Sequence, residues 1–272
     1  MLNPYQQAIA NLYNQRSTTY DQGDFHPKLV DLLLEYLDIK PKQTVLDIAT
    51  GTGLVSIEIA KKVGNDGYVI GVDIAEAMLK EAQKKAQKLN INNLEFLQTD
   101  IESLELPTEK FERISCCAAM VIFNDITNVL NHCYSWLKLG GKIGFNYWSE
   151  TSFIEGYTLS KIAPKYNINF PHWHQKIGSK ETCSNLLESI GFKNIEIHQD
   201  QLGHYIDLET VKNKWEVMIN FPVSNENLFP FQTLSAEKLE DAKQDYYQEL
   251  ERLASNQEVW NEIMTLTVIA EK

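Results

Sequence analysis

Short β-branched apolar runs alternate along most of this chain with longer segments whose apolar residues recur every three or four positions. The runs predict strands at 45–48, 68–72, 94–98, 111–117 and 142–148, interleaved with helices at 53–63, 75–89 and 126–138. Leu139-Gly140-Gly141 is expected to stop the last of these helices. Two helices, 4–20 and 28–38, come first, the second with Leu29, Leu32, Leu33, Tyr36 and Leu37 at helical spacing. After Trp148 the alternation fails. Residues 149–178 read as aromatic loop sequence, and a helix at 180–190 and a strand at 194–205 then resume the pattern. A second excursion, 207–254, has Leu208, Val211, Trp215, Met218 and Ile219 on one helical face and a charged helix near 235–254; a last strand covers 259–270. Strand–helix alternation of this kind builds a doubly wound, mostly parallel α/β sheet with helices on both faces. The excursions at 149–178 and 207–254 are expected to cap it as helix and loop segments of one structural domain.

One stretch inside this pattern carries chemistry. Val45–Gly53, VLDIATGTG, is a strand running into a small-residue turn, followed by a helix. Glycines at 51 and 53 permit a tight turn and a close approach of ligand to backbone. Asp73 ends the next strand, 20 positions beyond Gly53, where a doubly wound sheet places a carboxylate beside a ribose diol. A dinucleotide fingerprint would carry a third glycine where Ser56 stands, and the in-strand Asp47 would sit poorly beside two phosphates. A cationic ligand end suits Asp47 better. The segment resembles the first motif of class I S-adenosylmethionine-dependent methyltransferases, with Ala49 in place of its first glycine, an exchange expected to be mild because a methyl group permits most backbone angles with negative φ.

Further pieces agree with that family. Gln98-Thr-Asp100-Ile101 resembles its adenine-binding segment, Leu137-Lys-Leu-Gly-Gly141 its turn before the fifth strand, and Gly191-Phe192 its turn before the sixth. The resemblance implies a seven-stranded sheet whose last strand is inserted antiparallel beside the fifth. It implies S-adenosyl-L-methionine as cofactor, held by Tyr20 as a lid, Asp47, Ala49, Gly51, Gly53, Asp73, Ile74, Met78, Asp100, Ile101 and Cys117. Residues 1–148 then supply lid helices and the cofactor half, and 149–272 the remainder of the sheet with its caps. Within the family, the chain most resembles the ubiquinone/menaquinone C-methyltransferases and related small-molecule enzymes. Val121-Ile-Phe-Asn-Asp-Ile lacks the prolines and tyrosine of enzymes that methylate nucleic-acid or protein amino groups.

Composition narrows the partners. The chain has 272 residues, 43% of them hydrophobic, and a formal net charge of −12 without a basic block. Such a surface disfavours nucleic acid and anionic membrane as partners. No signal peptide is apparent at the N-terminus, and Cys116, Cys117, Cys133 and Cys183 form no C-x-x-C pair. Buried free thiols in a cytoplasmic protein are expected, and a homodimer is left open. Phe170, Trp173, Trp215, Met218, Phe221 and Phe229 are the candidate walls of an apolar substrate pocket. Methyl transfer needs a base only when the accepting atom carries a proton. His174, His172 and His204 are the candidates for it, with Tyr147 orienting the nucleophile, whereas His26 is read as capping or packing, or as helping Tyr20 close its side of the site. His172-x-His174 has no matching carboxylates, so no metal is expected. The favoured function is methylation, at O, N or C, of a small hydrophobic secondary metabolite. A quinone-precursor C-methyltransferase is the alternative enzyme, and a cofactor-binding regulator the alternative of another class.

Overall fold

The computed structural model describes residues 2–171 and 173–272, and for Trp173 the backbone alone. Asn3 accepts from the Gln6 N–H while the Gln6 side chain accepts from the Asn3 N–H, and with Pro4 in the first turn this capping box starts α1 (Pro4–Arg16). α2 (Phe25–Tyr36) buries Leu29, Val30, Leu33 and Leu34. The alternating core follows as β1 (Thr44–Ile48), α3 (Leu54–Val63), β2 (Tyr68–Asp73), α4 (Glu76–Lys88), β3 (Leu94–Gln98), β4 (Phe111–Cys116), α5 (Ile126–Trp136) and β5 (Leu137–Trp148). The remainder is α6 (Ile154–Ile162), α7 (Lys180–Ile190), β6 (Lys193–Gln201), β7 (His204–Asp207), α8 (Leu208–Lys212), α9 (Trp215–Ile219), α10 (Ala236–Leu253), β8 (Glu258–Asn261) and β9 (Met264–Glu271).

Seven strands form one sheet in the order β3-β2-β1-β4-β5-β9-β6. β9 runs antiparallel to both β5 and β6, and the other pairs are parallel. The order reverses between β1 and β4, so the carboxyl ends of β1, β2, β3 and β4 open on one crevice, the ligand position of such sheets. β7 and β8 pair separately beside the cap. One side of the sheet packs Leu46, Ile114, Phe145 and Val268 against α5 and α7. The other packs Val45 and Val69 against Val30 and Leu34 of α2 and Ile59 of α3. The two excursions meet in a third apolar cluster of their own, containing Leu159, Phe170, Trp215, Phe231 and Tyr246.

Four local readings change. α1 ends at Arg16, and Ser17–Asp21 is a turn rather than helix. α6 occupies sequence expected to be loop. Its IEGYTLSKI buries Ile154, Glu155, Gly156, Thr158, Leu159 and Ile162, which span most of its circumference, so no polar stripe marks it as a helix. α5 stops at Trp136 because Leu137 is already extended and paired with Phe111, leaving Gly140 at φ +76 in a turn within β5 rather than at the helix cap. The strands expected at 194–205 and 259–270 each divide, because their outer halves leave the main sheet to pair as β7 and β8.

Candidate active site

β1 enters its turn through a residue that is not glycine yet needs glycine's conformation. Ala49 sits at φ +53, so the exchange is not mild: a side chain is held in the left-handed region at a cost of about 1–2 kcal/mol. Gly51, at φ +56, faces open space, and a Cβ built there meets nothing within 4 Å. Gly53 has a different reason. Its Cβ would lie 2.9 Å from Cβ of Ala82, so it is small to let α3 and α4 close together.

Asp47 lies beneath this turn, 1% exposed. Its oxygens accept from Thr50 Oγ1 at 2.6 Å and Ser115 Oγ at 2.7 Å, which ties β1, the turn and β4 together. Burial pushes its carboxyl up to about 7, against the lowering effect of those hydroxyls. Asp73 ends β2 at the cavity wall. One oxygen accepts from the Gly51 N–H and the other from the Ala75 N–H, each at 2.8 Å, which fixes the carboxylate's plane. Burial raises its pKa too, and those backbone donors oppose the rise.

These residues border a cavity of about 780 Å³. Ala49, Gly51, Asp73, Ile74 and Met78 form one part of it, Thr99, Asp100, Ile101 and Cys117 another, and Tyr5, Gln6, Ile9 and Tyr13 of α1 lie across it. α1 is fastened there by side chains. Gln6 Nε2 donates to Asp100 at 2.8 Å and Glu102 at 2.9 Å, Tyr5 Oη donates to the Ile122 carbonyl at 2.7 Å, and Asn14 accepts from the Ala77 N–H. Tyr20 is held by its neighbour, since Asp21 accepts from Thr52 Oγ1 at 2.5 Å and pairs with Lys85.

A second cavity, of about 1320 Å³, shares Tyr13, Tyr20, Ala118 and Ile122 with the first. Those four residues therefore mark where the two adjoin, and where methyl transfer would need a passage. Its other walls include Phe25, Trp148, Phe153, Met218 and Phe221, together with Arg16, His26, Glu155, His174 and Lys214. Phe153 stands at φ +63, a strained setting for a bulky residue, and its ring packs on Trp148 at 5.2 Å and His174 at 5.6 Å. His26 stacks on Tyr20 with ring centroids 4.1 Å apart, and burial lowers its pKa below the usual histidine value.

Known proteins match this arrangement. A family profile described as a methyltransferase domain matches residues 45–141. Aklanonic acid methyltransferase DauC of Streptomyces sp. (strain C5) is 29% identical over 143 residues, which span 52% of this chain and 65% of that protein. The ubiquinone/menaquinone biosynthesis C-methyltransferase UbiE of Escherichia coli is 32% identical over 202 residues, covering 71% of this chain and 77% of the relative. The chain belongs to the class I S-adenosylmethionine-dependent methyltransferases. Its fold agrees with the crystal structure of the YcgJ protein of Bacillus subtilis at a TM-score of 0.61 and 16% identity, over 91% of this chain and 99% of that one. The methyltransferase is thus an enzyme of small-molecule methylation with S-adenosyl-L-methionine as cofactor.

The predicted cofactor residues fall together with two exceptions. Tyr20, Ala49, Gly51, Asp73, Ile74, Met78, Asp100, Ile101 and Cys117 all border the first cavity. Asp47 does not, because both its oxygens are turned inward to Thr50 and Ser115; Gly53 does not, because it faces Ala82. The acceptor side of the methyltransferase was less legible. Of the predicted walls, Met218 and Phe221 border the second cavity. Phe170 and Trp215 pack instead on Phe231 inside the cap, and Phe229 borders neither cavity. His174 is at the second cavity, whereas His204 is exposed on β7. Tyr147 points to the opposite side of the sheet, into the α5–α7 core beside Cys183. His172 and the Trp173 side chain lie outside the described residues. Sequence reasoning missed Tyr13, Phe25, Trp148 and Phe153 as walls and took His26 for packing or closure. The Tyr20–His26 spacing around Gly23 was the available signal, since a turn there brings both rings to the same mouth.

No helix among the described residues is long and apolar enough to cross a membrane.

Proposed function

We propose that this methyltransferase alkylates a compact, ring-bearing, largely apolar metabolite seated in the second cavity. The observation that carries the reading is the pair of cavities adjoining at Tyr13, Tyr20, Ala118 and Ile122. The first suits the cofactor on its own chemistry. No lysine or arginine borders it among the described residues, whereas Asp73, Asp100 and Glu102 do, so it fits a phosphate-free nucleoside with a cationic end better than a dinucleotide. Asp73 is positioned to accept from a ribose diol, and Asp100 from the adenine amine, with Ile74, Met78 and Ile101 against the base. Gly51 leaves room for the amino-acid portion. Tyr20, at the passage, offers a ring to the sulfonium. When bound, S-adenosylmethionine supplies an electrophilic methyl group.

The protein's part is alignment and exclusion of water. Phe25, Trp148, Phe153, Met218 and Phe221 give the acceptor a dry aromatic seat. If the accepting atom is a hydroxyl, His26 is the base placed best. It stacks on the passage residue Tyr20, its Nδ1 is buried without a hydrogen-bond partner, and its lowered pKa keeps the imidazole neutral at physiological pH. His174 is its rival across the cavity. The names of the relatives, a quinone-biosynthesis C-methyltransferase and an aklanonic acid methyltransferase, support a ring acceptor. The similarity to the former keeps a quinone precursor as a second reading. The free thiols of all four cysteines and the charge of −12 support a cytoplasmic enzyme acting without nucleic acid.

Transfer of labelled methyl from S-adenosylmethionine to a panel of phenols, hydroxyquinones and polyketide-like acids tests the reading. Turnover on ring acceptors is expected, and cofactor binding without transfer to any of them would overturn it. On a hydroxyl acceptor, rate should rise with pH to a plateau with its midpoint below 6.5. His26→Asn should lose that limb and about 100-fold in kcat. An unaltered profile would transfer the role to His174 or remove the need for a base.

A further inference from the structure

Besides Arg16, His26 and His174, the largely apolar second cavity is lined by an ion pair that the transfer chemistry does not use. Lys214 Nζ donates to Glu155 Oε1 at 2.6 Å. Glu155 comes from α6 and Lys214 from the start of α9, so the pair joins the two excursions at the cavity they enclose. Glu155 is 8% exposed, and its Oε2 has no hydrogen-bond partner. A buried carboxylate oxygen without a donor is costly, and natural structures seldom retain one unless something else satisfies it. The space its side chain borders is the acceptor cavity. Lys214 borders the same space and has two further N–H donors after the one given to Glu155.

We infer that Glu155 and Lys214 form an acceptor-recognition subsite that binds a neutral hydroxyl on the substrate, at a position other than the one methylated. A carboxylate only accepts, so the ligand group must donate. Lys214 already compensates the charge of Glu155, so a neutral donor is preferred to an ammonium. Neither residue borders the first cavity or belongs to the passage, which places the subsite on the cap wall, apart from the reacting methyl. The substrate class is therefore a ring with at least one hydroxyl that is read and retained, not any apolar ring of suitable size. This inference rests on the ring-acceptor reading of the second cavity.

Four naphthalene probes separate the two claims, with affinities measured by calorimetry on the full chain saturated with S-adenosylhomocysteine. In the wild type, 2-naphthol should bind about tenfold more tightly than naphthalene, the worth of one hydrogen bond to a charged group. Glu155→Met/Lys214→Met exchanges the pair for apolar side chains of similar length, a replacement that buried pairs tolerate. It should abolish the preference while naphthalene binds as well as before. Lys214→Met alone leaves the carboxylate uncompensated and should shift the preference to 2-(aminomethyl)naphthalene, which keeps the test open if the double variant fails to fold. Naphthalene and 2-naphthol binding equally to the wild type would overturn the subsite and leave the ring-acceptor cavity standing. Tighter binding of 2-naphthoate than of 2-naphthol that is lost in Lys214→Met would also overturn it, by making Lys214, and not Arg16 on the same wall, the anchor for an anion. Failure of all four probes to bind would overturn both claims.

Discussion

At the scale of single residues, the turn after β1 shows how one carboxylate and one methyl group bear on stability. The retained left-handed angle at Ala49 means that Ala49→Gly relieves strain and loses little else, since family glycine and this alanine occupy the same backbone conformation. The variant should be more stable by about 1 kcal/mol, seen as a shift of the urea midpoint at constant slope. Asp47 shows the opposite problem, a charge that the fold does not welcome. Its carboxyl moves from 3.8 to about 7 on folding because of burial. The folded state then holds a proton that the unfolded chain has released, so stability falls as pH rises from about 4 to about 7 and levels off above that. The limit of this loss is about 4 kcal/mol. Asp47→Asn keeps a partner for Thr50 or Ser115 and does not titrate. Its stability should therefore change less than the wild type's between pH 5 and pH 8 in urea titrations, and parallel curves would show that Asp47 is ionised throughout. The sequence placed Asp47 in the right strand but on the wrong errand. Strand alternation says which side a residue takes, not whether two hydroxyls 3 and 68 positions away will claim it.

At the scale of elements, α1 is the part of the cofactor site that pattern reading could not supply. Its helicity was legible from the polar–aromatic run, but its docking across the crevice depends on Gln6, Tyr5 and Asn14 reaching partners on distant segments. Gln6 has two separable jobs. Its Oε1 accepts from the Asn3 N–H in the capping box, and its Nε2 donates to Asp100 and Glu102. Gln6→Glu preserves the first and reverses the second, setting a third carboxylate against two. Like charges at hydrogen-bond distance near the surface cost on the order of 1–2 kcal/mol. Amide exchange across residues 4–16 should accelerate about tenfold in the variant, while the strands keep their protection. Unchanged exchange in α1 would show that Tyr5 and Asn14 alone hold the helix down. β5 teaches the same limit from the other direction. Gly140 was read as a helix cap because Leu-Gly-Gly follows an amphipathic segment, but the pairing of Leu137 with Phe111 claims the chain before the glycines are reached. Tertiary pairing decided that boundary, and local preference did not.

At the scale of the whole molecule, the sheet and the cap are stabilised by different clusters, and this explains why one half was legible and the other was not. The doubly wound half repeats a simple rule, apolar strands between amphipathic helices, so its alternation followed from spacing, and its antiparallel last strand from family resemblance. The cap obeys no repeat. Its apolar side chains divide between those that only hold it together, Phe170, Trp215 and Phe231, and those that meet the substrate space, Met218 and Phe221. Nothing in their spacing separates the two groups, because α9 is a short helix whose faces meet different neighbours. That division makes a prediction about coupling. Trp215 is 2% exposed, packs its ring 5.4 Å from Tyr246 and 5.9 Å from Phe231, and does not border the cavity. Trp215→Ala leaves a large void and should cost the cap about 3–5 kcal/mol. The cofactor cavity shares none of these residues, so the dissociation constant for S-adenosylmethionine should stay within about twofold, a change of under 0.5 kcal/mol. Cleavage by a low dose of protease should become concentrated at residues 208–250. If instead cofactor affinity fell in step with cap stability, the two clusters would behave as one cooperative unit, and the passage through Tyr13 and Tyr20 would depend on the cap for its shape as well as for its roof.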